Sequence, residues 1–158
     1  MTEPVRRFTC EPHPDHPGWH HWRLKDPTFY NEVVLGTLLV RSEDENRARC
    51  RILPQRHHLN AGGHIHGALL LGFMDVTLFT TYFWVRDRAA TGSQTIDLAS
   101  QFIERGDGSK PLDAVVEVLR ETGRFCFMRG LLMQDDTIVA SYNGTIRKRS
   151  QPRPAVPA

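Results

Sequence analysis

The apolar and polar positions divide the chain into one long helical run and a set of strand-like runs around it. Residues Ala68–Val85 are almost continuously apolar, too long for one strand and long enough for about five helical turns. Ahead of them, Thr37–Ser42 and Arg47–Leu53 read as strands joined by the polar turn Glu43–Asn46. In the second strand Ala48, Cys50 and Ile52 alternate with Arg49 and Arg51, the period-two pattern of a strand buried on one face. After the helix, the charged connection Arg86–Gly92 leads to four runs: Thr95–Ile103, Leu112–Glu121, Arg124–Gln134 and Thr137–Arg147. Ile96, Leu98 and Phe102 should share one face of the first run. Thr122-Gly123 and Asp135-Asp136 are turn pairs and Gly106–Lys110 is a loop, so the four runs are expected to form a hairpin-linked antiparallel meander.

The ends of the chain carry weaker signals. Asp26-Pro27 is a helix start and Gly36 a stop, which predicts a short helix over Pro27–Leu35. Residues 1–25 show no apolar period and are expected to be an extended N-terminal arm, tacked on by Trp19 and Trp22. His13, His16, His20, His21 and Cys10 lie in this arm, but their spacing matches no zinc pattern, so no metal is expected. Residues 26–147 then form the domain, and the basic, proline-rich residues 148–158 a disordered tail.

Composition narrows the setting. A chain of 158 residues can bury a core without metal or disulfide staples. A formal charge of +2, with basic residues scattered until the tail, gives no reason to expect nucleic acid. Cys10, Cys50 and Cys126 are odd in number and widely spaced, which argues for a reducing, cytoplasmic setting. Glu3, Arg6 and Arg7 interrupt any apolar leader after Met1. Ala68–Val85 approaches the length of a membrane span, yet Asp75 sits near its middle and Thr77, Thr80 and Thr81 dilute it. A core helix is the better reading, and no membrane is expected. The fold class is therefore α+β: a long central helix wrapped by an antiparallel β-sheet. One sheet covers a helix on one side only, whereas this helix is apolar on more than one face. A second subunit is the economical cover, giving a dimeric unit with the two helices near the two-fold axis.

The chemistry concentrates in His57–Asp75, HHLNAGGHIHGALLLGFMD. Gly62 and Gly63 permit a positive φ or close backbone approach. A helix beginning near His66 would present N–H groups with no intrahelical acceptor, suited to an anion or to the oxyanion of acyl transfer. Asp75, one acid within an apolar helix, is costly unless partnered; it is a candidate catalytic group or a hydrogen-bonded structural acid.

Asn60-x-x-Gly63-x-x-His66-Gly67, followed after a gap by Asp75, resembles the hotdog-fold acyl-CoA thioesterases of the phenylacetyl-CoA thioesterase type. The likeness covers Leu35–Arg147, including the strand that begins at Thr95. It implies a hotdog fold and hydrolysis of an acyl-CoA or aryl-CoA thioester without a cofactor. It also implies a homodimer or homotetramer with the active site at the subunit interface. Carried over by residue, the Gly67 N–H would hold the oxyanion and the Asn60 side chain would orient or polarise the carbonyl. Asp75 would be the nucleophile or general base, and the Thr95 hydroxyl would help to place water. His66, Gly63 and Ala68 would form the substrate-binding loop around these groups, with His66 shaping it. Ala68 stands where the family usually has a second glycine, and Thr95 where some relatives have serine. Arg86, Arg88, Lys110, Arg124 and Arg129 are candidates for coenzyme A phosphates. A hotdog protein that binds acyl-CoA without turnover, and a dehydratase or hydratase on the same fold, are the alternatives. The first sits poorly with the presence of both Asn60 and Asp75, and the second needs a different His–acid arrangement.

Overall fold

The computed structural model describes residues 8–86 and 92–148. The apolar run forms helix α1, Gly67–Arg86. Two strands precede it close in sequence, β3 (Leu38–Ser42) and β4 (Arg47–Ile52). Four follow it: β5 (Gln94–Phe102), β6 (Leu112–Glu121), β7 (Phe125–Gln134) and β8 (Thr137–Arg147). Two more, β1 (Phe8–Pro12) and β2 (His20–Leu24), come from the N-terminal region. Among the described residues these strands make one antiparallel sheet in the order β1-β2-β3-β4-β6-β7-β8-β5. The sheet curls around α1, which is the arrangement of the hotdog fold.

The helix is long and apolar enough to cross a bilayer, but the sheet buries most of it. Phe73, Met74 and Leu78 are wholly inaccessible, and Leu69, Leu70, Val76, Tyr82 and Phe83 nearly so. Each such side chain contributes about 1.5–3 kcal/mol through removal from water. The alternation in β4 places Ala48, Cys50 and Ile52 in the core at full burial. Its other face carries Arg49 and Arg51 to Asp113 on β6. Arg51 donates from Nε (2.6 Å) and Nη2 (2.8 Å), and Arg49 from Nη1 (3.0 Å). Two of the buried helix threonines have oxygen partners: Thr77 donates to Met74 O (2.9 Å) and pairs with the Tyr142 hydroxyl (2.7 Å), and Thr80 donates to Val76 O (3.1 Å).

Four sequence expectations are corrected. First, β5 is not part of a continuous meander: it pairs with β8 at the sheet edge, and β6 pairs with β4. The segment between β5 and β6 is too long for a tight hairpin and is held elsewhere. Its Asp107 N–H donates to Gln134 Oε1 (2.7 Å), while Gln134 Nε2 donates to Asp107 O (2.7 Å) and Lys110 O (3.1 Å). Second, a bulge between Thr95 and Asp97 breaks the alternation of β5. Thr95 therefore shares a face with Leu98, opposite Ile146 and Gly144, and Ile96 is left exposed. Third, Pro27–Leu35 is not an α-helix. The Asp26 carboxylate takes the Thr28 N–H (2.9 Å) and hydroxyl (2.7 Å), and a single π-helical turn follows at Asn31–Leu35. Gly36, at φ 72°, ends that turn as read from the sequence. Fourth, the N-terminal region is ordered as the β1–β2 hairpin, which continues the sheet beyond β3. Phe8 stacks on Trp22 (centroids 4.0 Å apart), and Trp22 reaches Phe83 of α1. Of the expected disordered tail, 148–158, Lys148 is held by its N–H to Arg124 O (2.7 Å), and residues 149–158 lie outside the described residues.

Close helix–sheet packing depends on Gly144 of β8. A Cβ there would collide with the Leu78 side chain, which is fully buried on α1 and has no room to move. Gly144→Ala is expected to lower stability by about 1–3 kcal/mol in urea unfolding, the usual range for overpacking. Gly123→Ala, where nothing lies within 4 Å, should be near neutral. Equal effects at the two positions would contradict this packing.

Candidate active site

The glycine loop before α1 is built around Asn60. The Asn60 backbone N–H donates to His64 O (2.8 Å), and the Gly63 N–H donates to Asn60 O (3.0 Å). Asn60 Oδ1 accepts from the Gly62 N–H (2.9 Å) and the His64 N–H (3.2 Å). With its carbonyl oxygen engaged inside the turn, exposed Asn60 has its Nδ2 donors to offer. Gly63 supplies the positive φ, 79°, that closes the turn. A second loop clamps this one. The Ile65 N–H donates to Gly106 O (2.9 Å), and His64 bridges to Asp107. Gly106 and Gly108 lie flat against Ile65 and Leu59, where a side chain would clash.

His66 caps the helix. Its carbonyl accepts the N–H groups of Leu69 (3.0 Å) and Leu70 (3.2 Å), and its ring Nδ1 accepts the Ala68 N–H (3.0 Å). The acceptor role of Nδ1 fixes the ring as the Nε2–H tautomer if neutral. These bonds use the first-turn donors of Ala68, Leu69 and Leu70. Among the described residues the Gly67 N–H has no acceptor, and it stands at the positive end of the helix. The tip of the Phe102 ring lies near it, 3.8 Å from where a Gly67 Cβ would be.

Asp75 lies two turns further on, half-buried, on the strip of α1 that the sheet leaves open. Ala68, Leu71 and Gly72 continue that strip, and Leu71 is 40% exposed. The β5 bulge aims Thr95 at Asp75, and the hydroxyl donates to Asp75 Oδ1 at 2.5 Å, at the short end of O–H···O hydrogen bonds. The resemblance gives Thr95 the placing of water; here its hydroxyl meets the carboxylate itself, which leaves Oδ2 for a water proton or a reacting carbon. The sequence-predicted residues thus fall into two groups. Asn60, Gly63, His66, Gly67 and Ala68 gather at the helix start; Asp75 and Thr95 pair near its middle.

Other candidate chemistry is accounted for. Burial pushes the Cys50 thiol up to about 12 and Cys126 up to about 11, so neither is a thiolate at neutral pH. Lys110 pairs with Asp135 (2.8 Å), Arg86 with Glu121 (3.3 Å) and Arg129 with Glu117 (2.8 Å). Three of the residues proposed for phosphates are therefore engaged in ion pairs; Arg88 lies outside the described residues. Among the described residues no group of three or more His, Cys, Asp or Glu side chains converges as metal ligands would.

The fold agrees with the comparison to known families. The family model described as the acyl-CoA thioesterase N-terminal domain matches residues 55–146, more than half of the chain, from the loop through the helix to the penultimate residue of β8. The chain belongs to the acyl-CoA thioesterase family. It is a thioester hydrolase of the hotdog fold. No curated protein matches it. A conserved Pseudomonas aeruginosa protein is 26% identical, with a TM-score of 0.65, 77% of this chain covered and 94% of the other. The PaaI protein from the phenylacetic acid degradation operon of E. coli is 17% identical, with a TM-score of 0.64 and coverage of 78% and 86%. A hypothetical thioesterase protein from Streptococcus pneumoniae, solved with coenzyme A, is 15% identical, with a TM-score of 0.61 and coverage of 72% and 87%. At such identities the last two show a shared fold.

Sequence reasoning missed His58, which supports the thioesterase loop from below. It is 2% exposed and sits in the 3-10 turn Arg56–His58. Nδ1 accepts the Gln55 N–H (2.9 Å), so the neutral ring donates from Nε2 to Val34 O (2.6 Å). Its burial holds its pKa below the ordinary 6.5, and the neighbouring His57 acts in the same direction. Below about pH 6.5 the unfolded chain therefore takes up a proton that the native site resists. Stability is expected to fall as pH drops from 6.5 toward the lower native pKa. His58→Gln should be less stable at pH 7.5 but lose less on acidification over that window. Parallel pH-dependence of the two proteins in thermal unfolding would contradict a neutral buried His58.

Proposed function

We propose that this thioesterase hydrolyses an acyl- or aryl-coenzyme A thioester to the free acid and coenzyme A, with Asp75 as general base or nucleophile. The observation that carries the proposal is the Thr95–Asp75 hydrogen bond on an open strip of a helix whose first N–H, at Gly67, has no acceptor among the described residues. The coenzyme A bound to the pneumococcal relative supports the carrier. The operon context of PaaI supports an aryl group as one choice of acid. The cysteine pattern favours a cytoplasmic reaction.

In the general-base form, Asp75 Oδ2 takes a proton from water as the water oxygen attacks the thioester carbonyl. The carbonyl oxygen gains charge against the Gly67 N–H and the Nδ2 donors of Asn60. Collapse of the tetrahedral intermediate breaks the C–S bond and expels the coenzyme A thiolate, a good leaving group. A general acid therefore matters less than in amide cleavage.

One subunit cannot supply both halves of this site. Gly67 and Asp75 are eight residues apart, or about 12 Å along the helix, whereas hydrogen-bond reach at each end is about 3 Å. The free edge of β5 supports a solution. Its other side pairs with β8, Phe102 and Ile96 beside it are about half exposed, and Thr95 links it to Asp75. Two copies related by a two-fold at β5 would run their helices antiparallel, placing Gly67 and Asn60 of one opposite Asp75 and Thr95 of the other. The site is then composite, two per dimer, whether or not dimers pair further into tetramers.

The test is thiol release from a panel of acyl- and aryl-CoA substrates without added metal. Wild-type protein should turn over at least one class, and Asp75→Asn should lose 10³-fold or more, of the order expected for a lost base and its activated water, while still binding substrate. Thr95→Ala should be milder, roughly 10–10²-fold, because it loosens the carboxylate without removing it. Binding without turnover by the wild type would indicate a non-catalytic acyl-CoA-binding protein. A Thr95 variant worse than Asp75→Asn would reverse the assigned roles.

A further inference from the structure

The open strip of α1 is not bare. Tyr30, at the start of the π-helical turn, lays its ring across Gly72. A Cβ at Gly72 would collide with the Tyr30 hydroxyl and stand only 3.1 Å from Cζ. A glycine within a helix costs about 1 kcal/mol relative to alanine, and here the missing side chain is what admits the tyrosine. Gly72 and Asp75 are three residues apart and therefore neighbours on the helix surface. Ala68 is four residues to the other side of Gly72. The tyrosine therefore stands beside the candidate catalytic carboxylate.

Three features set Tyr30 apart from an ordinary surface aromatic. The turn that carries it is fixed at several points: Val34 O accepts from buried His58 Nε2 (2.6 Å), the Gly36 N–H donates to Asn31 O (3.0 Å), and Glu32 Oε1 accepts the Leu24 N–H (2.7 Å). The same His58 supports the turn leading to Asn60, so Tyr30 and the glycine loop share one anchor. The ring nevertheless remains 47% exposed, next to Phe29 (48%) and Val33 (61%), with Leu71 (40%) on the helix. Among the described residues its hydroxyl has no hydrogen-bond partner.

Direction along the helix decides which part of the substrate it meets. Beyond Asp75 toward the C-terminus the strip is filled by Phe79, partly buried and packed toward Phe83. Toward the N-terminus the next surface position is Gly72, where the Tyr30 ring already stands, so an acid group whose carbonyl lies at Asp75 meets that ring within about one helical turn. We infer that the Tyr30 ring, seated in the Gly72 notch, is the end wall of the acyl pocket and limits the substrate to a short acyl chain or a single ring. This inference rests on Asp75 acting on the thioester, as proposed above.

The test measures kcat/KM across straight-chain acyl-CoA substrates from four to twelve carbons and a single-ring aryl-CoA, for wild type, Tyr30→Ala and Tyr30→Phe. Tyr30→Ala should raise the ratio of long-chain to short-chain kcat/KM by at least tenfold, since one methylene in a fitted pocket is worth about 10–200-fold. Tyr30→Phe keeps the ring and should leave the profile within about threefold of wild type. Thermal unfolding would establish that the variants are folded, as expected for a half-exposed side chain. Turnover with an unchanged chain-length profile in folded Tyr30→Ala would overturn the pocket-wall role and leave the proposed activity standing. A Tyr30→Phe profile matching Tyr30→Ala would overturn the steric account, and a wild type already preferring the longest chain would overturn it too. Absence of turnover by the wild type on the whole panel would overturn the inference together with the reading on which it rests.

Discussion

Covering an almost wholly apolar helix is the constraint on which this structure depends. α1 has buried side chains around most of its circumference, and an antiparallel sheet can enclose it only by curling. β-Bulges in the β5–β8, β6–β7 and β7–β8 pairs allow that curvature, and Gly144 allows the backbone of β8 to come down onto Leu78. The sheet still leaves one strip open. The candidate chemistry lies there because it is where a polar group on the helix can reach water and substrate.

Asp75 is tolerable on that strip for a local reason. It is half-buried and its carboxylate is met by the Thr95 hydroxyl, so the charge is neither stranded in the core nor loose in solvent. The bulge that spoils the alternation of β5 is the feature that points Thr95 inward. At the other end, two glycine-bearing loops lock together through Ile65–Gly106 and His64–Asp107. That lock presents the start of the helix with its first N–H unused among the described residues. Rigid mounting of both halves is what a preorganised oxyanion site requires.

Much of this was legible in the sequence because its signals were long and periodic. The helix, the two alternating faces of β4 and the limits of β6 and β8 follow from apolar period and turn residues, and the motif around Asn60, Gly67 and Asp75 is compact in sequence. What escaped was long-range or locally disguised. The pairing of β5 with β8 joins strands far apart in sequence, and the loop that leaves β5 is held by a buried Gln134 that no local pattern announces. The β1–β2 hairpin is hidden among prolines and histidines, and its order comes from the Phe8–Trp22–Phe83 stack. The Pro27 helix signal was real as a cap but was cut short by a π-turn. Tyr30 and Gly72 are far apart in sequence, and neither residue alone announces a contact. A glycine within the apolar run was the available clue.

In the proposed composite site, the carboxylate and the oxyanion donors come from different subunits. Co-refolding Asn60→Ala chains with Asp75→Asn chains tests it directly, given that each variant alone is nearly inactive. Random pairing makes about half of the dimers mixed, and each mixed dimer holds one doubly damaged site and one intact site. A composite site should return about a quarter of wild-type activity. Activity that stays at the level of the separate variants, with subunit exchange demonstrated by mass, would contradict it and place both halves of the site within one chain.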